Sequence, residues 1–390
     1  MKIAYYCQHV LGIGHFHRSL EICRVLAEFH QVTLILGGPE VSVDNPDISI
    51  CQLPGLKMDA RFNNLSPCDA TLSLEEVKAQ RAELLLTWFQ QNSPDVFLVE
   101  LYPFGRKAFR FELDPVLKGI NERTIPPCRC FVSLRDILVE RPNDQEKFEA
   151  RIIKTLNNYF DGLLLHADEK VITLGETFSR INDINIPTVY TGFITRESSK
   201  KDRHELRQSL AVQDDDKLIV VSIGGGNVGH ELVKAAIQAF TLLTDIRCRM
   251  QLFTGPYFPE ETFTNLQVSL PENVCLSRFT DHFPDWLLAA DLSISMAGYN
   301  TCMNLLAAGI PALVYPFSQN REQRYRVKKL QQFGTFRILE EHDLTAALLA
   351  KTIEQHVSMP RYRCTIKLDG AQQTRTWIEN IFHDQPTATI

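Results

Sequence analysis

A chain of 390 residues with 44% apolar and 23% charged residues carries enough apolar material for two or three buried cores, which excludes a disordered, collagenous or coiled-coil protein. Its 41 Lys and Arg are outnumbered by 47 Asp and Glu, and no basic run is long enough to neutralise many phosphates at once, so nucleic acid is not an expected partner. No stretch approaches ~18 consecutive apolar residues, and the opening MKIAYYCQHV lacks the layout of a signal peptide, so the expected location is the cytoplasm.

Short runs rich in β-branched and aromatic residues alternate with segments of helical period, the pattern of parallel sheets with crossover helices. In the first half the strand candidates are 3–7, 32–36, 48–53, 96–99, 130–134 and 163–166, each apolar enough to be covered on both faces. Between 194 and 216 charge becomes dense and apolar residues sparse, which marks a domain boundary. The alternation restarts at 218–223, 250–253, 274–276, 292–295 and 312–315. The expected class is therefore α/β, with two doubly wound, Rossmann-like domains over 1–198 and 199–368. A last helix over 371–382 and a frayed tail fall in 369–390, with that helix free to pack back on the first domain. The 10 cysteines include no CxxC pair. Cys7, Cys23 and Cys275 lie in apolar runs, and Cys128 and Cys130 would share one face of a strand, so buried reduced thiols are expected, not disulfides or zinc.

Three turns carry chemistry. The first, Gly12-Ile13-Gly14-His15-Phe16-His17-Arg18, joins the first strand to a helix whose apolar face is Leu20, Ile22, Cys23, Leu26, Ala27 and Phe29. Its glycines leave the helix N-terminus open to a ligand, but the third glycine of a dinucleotide fingerprint is missing. His15 stands at the carboxyl end of the first strand, where open α/β sheets bind ligands. An imidazole there is placed to take a proton from a hydroxyl that is becoming a nucleophile, and a helix cap or a bond to a nearby carbonyl is the alternative reading. His17 is a ligand contact or a structural residue.

The second turn, Ser222-Ile223-Gly224-Gly225-Gly226-Asn227-Val228-Gly229, again follows a strand and precedes a helix. Side chains are absent where backbone amides would approach a phosphate, and no Lys-Ser/Thr pair closes it as a Walker loop would require. The alternative is a tight turn without a ligand. The third element runs from Ser295 through Gly298-Tyr299-Asn300-Thr301 and Asn304 to Gly309 and Pro311, followed by a strand and then Glu322-Gln323. Gly298 opens a helix, Gly309 closes it, and Asn300 and Thr301 fall in the first turn, where free amides and a short hydroxyl suit phosphate oxygens. Glu322 and Gln323 at the next strand end suit the vicinal hydroxyls of a sugar, with a solvated surface as the plain alternative.

Taken together these residues resemble the GT-B nucleotide-sugar glycosyltransferases of family 28, which include the N-acetylglucosaminyltransferase that completes lipid II, and resemble more nearly a group of uncharacterised predicted glycosyltransferases. The matching features are the GxGH turn at Gly12 to His15, the glycine cluster at Gly224 to Gly226, and the donor signature from Ala297 to Gly309 with Pro311, Pro316 and Glu322-Gln323. The resemblance implies a GT-B fold of two domains facing a central cleft, with the donor on the second and the acceptor on the first. It implies diphosphate or sugar contacts at Gly14, Gly225, Gly226, Asn227, Gly298, Tyr299, Asn300, Thr301, Glu322 and Gln323. It also places the nucleobase at Arg278 and Phe279. Where the family commonly has a glutamate on the ribose this chain has Asn304, and Met296 stands where the lipid II enzyme frequently has arginine, so the nucleotide is left open; a UDP-sugar is the expected co-substrate.

The implied reaction is metal-independent, inverting hexosyl transfer without a cofactor, with His15 as general base. Glu100 either orients His15 or contacts acceptor, or belongs to a plain ion pair. Tyr102, Arg106 and His17 are candidate acceptor contacts. Arg61, Lys107, Arg110 and Arg135 join Arg106 as scattered cations that would favour an anionic acceptor or simply face solvent. The long stretch 54–76 reads as an irregular, functional segment. Asp214-Asp215-Asp216 reads as a solvated turn and not a metal motif, and Leu84 to Phe89 as packing on a sheet more than a membrane contact, although membrane association follows by analogy with the lipid II enzyme. Two rivals keep the fold: a nucleotide-sugar hydrolase or epimerase, and a non-catalytic nucleotide-sugar-binding protein. The oligomeric state has no signature in the sequence.

Overall fold

The computed structural model describes residues 1–9, 14–43, 45–58, 64–138, 144–244, 246–319 and 321–383. Gly12 of the first turn, Arg61 and the tail after His383 lie outside the described residues. The chain divides into two compact units: Met1–Ile194 together with the segment from Lys367 on, and Thr195–Ile366.

The first unit runs β1 (Lys2–Cys7), α1 (Gly14–Ala27), β2 (Gln31–Leu36), β3 (Ile48–Gln52), β4 (Leu56–Met58), β5 (Leu65–Pro67), α2 (Leu74–Asn92), β6 (Val96–Glu100), α3 (Arg110–Asn121), β7 (Arg129–Arg135), α4 (Gln145–Tyr159), β8 (Gly162–His166) and β9 (Thr188–Tyr190). Seven of these strands form one parallel sheet in the order β3-β2-β1-β6-β7-β8-β9. Its central strands β1, β6 and β8 are buried almost throughout, which is why they read as unbroken apolar runs. β3 departs from that expectation. It is the edge strand, and Ile50 on it is 43% exposed, because an edge strand lacks a neighbour to cover it. The stretch expected to be irregular holds the antiparallel hairpin β4-β5. Helix α2 starts with a capping box between Ser73 and Glu76 and buries Leu85 and Phe89 while Leu84 stays exposed, so the LLLTWF segment is the packed face of an amphipathic helix.

The second unit runs α5 (Arg203–Ser209), β10 (Lys217–Ser222), α6 (His230–Phe240), β11 (Cys248–Phe253), α7 (Glu260–Val268), β12 (Val274–Ser277), α8 (Phe283–Ala289), β13 (Leu292–Met296), α9 (Tyr299–Ala308), β14 (Ala312–Tyr315), α10 (Arg321–Leu330), β15 (Phe336–Ile338) and α11 (Ala346–His356). Its sheet is parallel, in the order β12-β11-β10-β13-β14-β15. Cys275 on the edge strand β12 is exposed, contrary to the expectation of a buried thiol, for the same edge reason. The charged boundary segment contains α5, whose capping box pairs Asp202 with Glu205. Arg361 ties α8 to α9: its guanidinium donates to the carbonyls of Leu288 (2.6 Å) and Ala290 (2.5 Å) on one side and of Ala308 (2.6 Å) on the other, satisfying helix-end carbonyls that have no intrahelical partner.

The last helix, α12 (Gly370–His383), returns to the first unit. It lies against α1, where His30 meets Glu379 at 3.0 Å and the Arg375 guanidinium covers the ring of Phe29 at 4.3 Å. Phe29, expected in the apolar face of α1, is thus 64% exposed and lies beyond the end of that helix.

Candidate active site

Each sheet reverses its winding at one point. In the first unit β1 leads outward to β2 and β3, while its other neighbour β6 leads to β7, β8 and β9. In the second, β10 and β13 are the corresponding pair. The loops leaving the carboxyl ends of such neighbours diverge and open a crevice, and these are the positions where α/β sheets bind ligands. In the first unit they deliver α1 with His15 and the β6 end with Glu100. In the second they deliver the Gly224 to Gly226 turn and the N-terminus of α9.

His15 and Glu100 are in contact. The imidazole Nδ1 lies 2.7 Å from Glu100 Oε1, and Arg18, one helical turn beyond His15, donates from Nη2 to the same oxygen at 2.6 Å. Glu100 is wholly buried, Arg18 nearly so, and His15 keeps 21% of its side chain exposed. Arg106 brings a second guanidinium to Glu100, its Nε 4.0 Å from Oε2. Burial alone would raise the Glu100 carboxyl, but His15, Arg18 and Arg106 outweigh it and hold the group well below the usual carboxylate range. An ionised Glu100 accepts the Nδ1 proton of His15, and the neutral ring then carries its lone pair on Nε2, the form a general base requires. The loop that places these groups is unusual: Leu101 and Arg106 both sit at positive φ, 66° and 56°, a conformation bulky side chains adopt only where the surroundings enforce it.

Burial lowers His15 to about 4, Glu100 pulls it back upward, and Arg106 and Arg18 add to the fall. Folding thus favours the neutral ring. Its contribution to stability is complete above the ordinary imidazole value of 6.5 and is lost as pH falls from there toward 4. For activity, a base held near 4 stays competent in mild acid. The acid limb of kcat/KM is expected near pH 4 and not near 6.5, and a pH profile with a limb at 6.5 would show that this imidazole is not the group titrating.

The remaining acceptor-side candidates separate. His17 is half-buried with its ring 5.4 Å from that of Phe16. Tyr102, expected to meet acceptor, is a core residue instead: it is 2% exposed and its hydroxyl donates to Asp114 at 2.6 Å. Arg110 pairs with the same Asp114 at 2.8 Å along the helix surface, its side chain 47% exposed. Behind Glu100 lies a buried polar relay absent from the sequence reading, Tyr5 to Ser133 at 2.7 Å, Ser133 to His166 at 2.7 Å and His166 to Thr191 at 2.9 Å.

In the second unit Gly298 opens α9 with no side chain of its own to cap it, and a Cβ there would meet nothing nearer than Thr301 Oγ1 at 3.9 Å. Tyr299 is buried, and Asn300 and Thr301 are partly exposed at this helix start. Gly14 is likewise exposed at the start of α1. Of the glycine cluster, Gly224 and Asn227 are exposed and Gly225 is partly so, whereas Gly226 is buried at φ +93° against the backbone of Thr254 and Phe258. Gly226 therefore has a packing reason to be glycine.

Asn304, Glu322 and Gln323 have internal partners. Asn304 is 9% exposed and its Oδ1 accepts the Arg196 N–H at 3.3 Å. Glu322, expected on sugar hydroxyls, is 6% exposed and pairs at 2.6 Å with Arg326, which is fully buried under the Tyr299 ring. Gln323 Oε1 accepts the Phe317 N–H at 2.9 Å. These contacts brace α9 and α10 from within. Arg278 donates to the Phe258 carbonyl at 2.8 Å and to Glu260 at 2.5 Å over the Phe263 ring, while the neighbouring Phe279 is 44% exposed. Among the described residues no group of three or more His, Cys, Asp or Glu is arranged to hold a metal ion, and no helix is long and apolar enough to cross a membrane.

Comparison with known proteins fits this geometry. Residues 220–375 match the glycosyltransferase family 28 C-terminal domain. The UDP-N-acetylglucosamine--N-acetylmuramyl-(pentapeptide) pyrophosphoryl-undecaprenol N-acetylglucosamine transferase of Caldicellulosiruptor saccharolyticus is 25% identical over 283 residues, covering 69% of this chain and 74% of that protein. The protein of the same name from Carboxydothermus hydrogenoformans is 28% identical over 49% of this chain and 52% of its own length, so the chain spans about half of that relative. Among solved structures, MurG of Acinetobacter baumannii aligns over 98% of this chain and 99% of its own with a TM-score of 0.56 at 15% identity. The glycosyltransferase SnogD from Streptomyces nogalater aligns over 98% and 100% with a TM-score of 0.60 at 14% identity. The fold is GT-B.

Proposed function

We propose that this GT-B glycosyltransferase of the family 28 kind moves a hexose from a nucleotide diphosphate sugar, a UDP-sugar by preference, to an acceptor hydroxyl with inversion and without a metal. The observation that carries the reading is the His15–Glu100–Arg18 cluster at the switch point of the first sheet, in a chain whose second sheet presents a helix N-terminus opened by a glycine at its own switch point. His15 Nε2 takes the proton of the acceptor hydroxyl. The oxygen attacks the anomeric carbon from the side opposite the diphosphate, and the bond between that carbon and the phosphate oxygen breaks with its electron pair. Charge gathering on the leaving diphosphate is met by the amides at the start of α9 and by the exposed peptides of the Gly224 turn. Each such preorganised donor is worth roughly 3–4 kcal/mol of transition-state stabilisation when its removal is measured.

The relatives' names support a UDP-sugar donor and a phosphorylated, lipid-linked acceptor; the absence of a carboxylate at position 304 supports a ribose contact different from the family's common one. Incubating the protein with UDP-glucose or UDP-N-acetylglucosamine alone, and then with hydroxyl-bearing acceptors, tests the reading. Transfer predicts slow UDP release that rises when acceptor is added. Fast, stoichiometric release with water alone would assign the site to hydrolysis instead.

A further inference from the structure

We propose that Tyr257 is the platform on which the sugar of the donor stacks, an inference that rests on the donor-binding reading of the second unit. The turns after β10 and β11 interlock backbone to backbone. A Cβ on Gly255 would stand 2.2 Å from the Gly224 carbonyl oxygen, and one on Gly226 would stand 2.6 Å from the Thr254 oxygen and 2.7 Å from the Phe258 nitrogen. No side chain fits at either position, so the two turns form one fixed body. The N–H of Tyr257 donates to the Gly225 carbonyl at 2.9 Å, which locks the residue's backbone to that body.

The residue is nonetheless 45% exposed, with its ring Cδ2 3.7 Å from the position a Gly225 Cβ would take. The Cβ direction of Gly224 meets no heavy atom within 4 Å. Bare, accessible peptide thus lies beside an open aromatic ring on a rigid support, at the carboxyl edge where the donor is expected. The chemistry of the two surfaces decides what each takes. An aromatic face carries negative quadrupole potential and does not attract a phosphate, whereas the C–H face of a pyranose suits it. Diphosphate therefore goes to the amides and the sugar to the ring. Phe279, an exposed ring that follows β12, is left for the nucleobase.

Calorimetric titration of the full chain with UDP, UDP-glucose and UDP-N-acetylglucosamine tests this, using wild type, Tyr257→Phe and Tyr257→Ala. The alanine variant is expected to weaken UDP-sugar binding roughly three- to tenfold while leaving UDP binding unchanged, and the phenylalanine variant to keep both. Equal losses for UDP and UDP-sugar, or no loss for either, would overturn the platform while leaving the donor site standing. Wild-type protein that binds none of the three would overturn the donor reading and this contact with it. Unchanged thermal melting of Tyr257→Ala separates a lost contact from a lost fold.

Discussion

Replacing His15 with alanine is expected to lower turnover by about 10²–10⁴ while leaving donor affinity and thermal stability close to wild type. The size follows from what is removed. His15 is the partly exposed member of a cluster whose other members are buried, so its loss opens space toward solvent and leaves Glu100 still paired with Arg18 at 2.6 Å. The substitution takes away a base and little else. The electrostatic setting of His15 is checked by the same assay with a sign attached. Glu100 raises His15 and the arginines lower it, so Arg18→Met should move the acid limb of the pH profile upward from about 4, in the direction of an ordinary imidazole. A merely structural arginine would change stability without moving that limb. Near-normal turnover of the alanine variant, with folding intact, would remove His15 from the chemistry altogether.

The largest stability effect is expected at Arg81. Its guanidinium is fully buried in the first unit, donating from Nε and Nη2 to Glu112 at 2.7 and 2.6 Å, from Nη1 to the carbonyls of Gly37 and Pro54 at 2.7 and 2.8 Å, and from Nη2 to Gln8 at 2.7 Å. Tyr6 donates its hydroxyl to the same Glu112. Arg81→Met therefore leaves a buried carboxylate without its counter-charge, strips the Pro54 carbonyl of its guanidinium donor and leaves the Gly37 carbonyl with the Leu56 N–H alone, and a loss of about 3–5 kcal/mol is expected. Combining it with Glu112→Leu should recover part of that loss, because a buried pair replaced whole by apolar groups leaves no orphaned charge. Thermal unfolding of the single and double variants measures this directly. A double variant less stable than the single one would show that the pair itself, and not the stranded charge, is what the fold depends on.

The readability of this molecule in its sequence follows burial. Central strands such as β1, β6 and β8 are covered on both faces and so appear as continuous apolar runs, whereas β9, β15 and the β4-β5 hairpin are three-residue strands with partly exposed side chains and give no such signal. Glycine turns and the opening of α9 at Gly298 were legible because each demands a particular backbone. Side-chain partnerships were not. Glu322 reads as a sugar ligand until Arg326 is seen one turn away and wholly buried, and the Arg196 N–H on the Asn304 oxygen has no trace in the sequence. The pairing of Arg81 with Glu112 joins residues 31 apart in the chain, and nothing local announces it. Arg18 had the one usable signal, its spacing of three from His15 on the same helix, but a buried arginine within an apolar helix face is visible only once the face is seen packed.

The account turns on whether the opening of α9 holds a nucleotide diphosphate. Calorimetric titration of the full chain with UDP, in wild type and in Thr301→Glu, tests it most directly, since the substitution puts a negative charge in the first turn where the anion would sit. Saturable binding by wild type, weakened about tenfold or more in a variant of unchanged melting temperature, is the predicted result. Equal UDP affinity in the two proteins, or no binding by wild type, would contradict it.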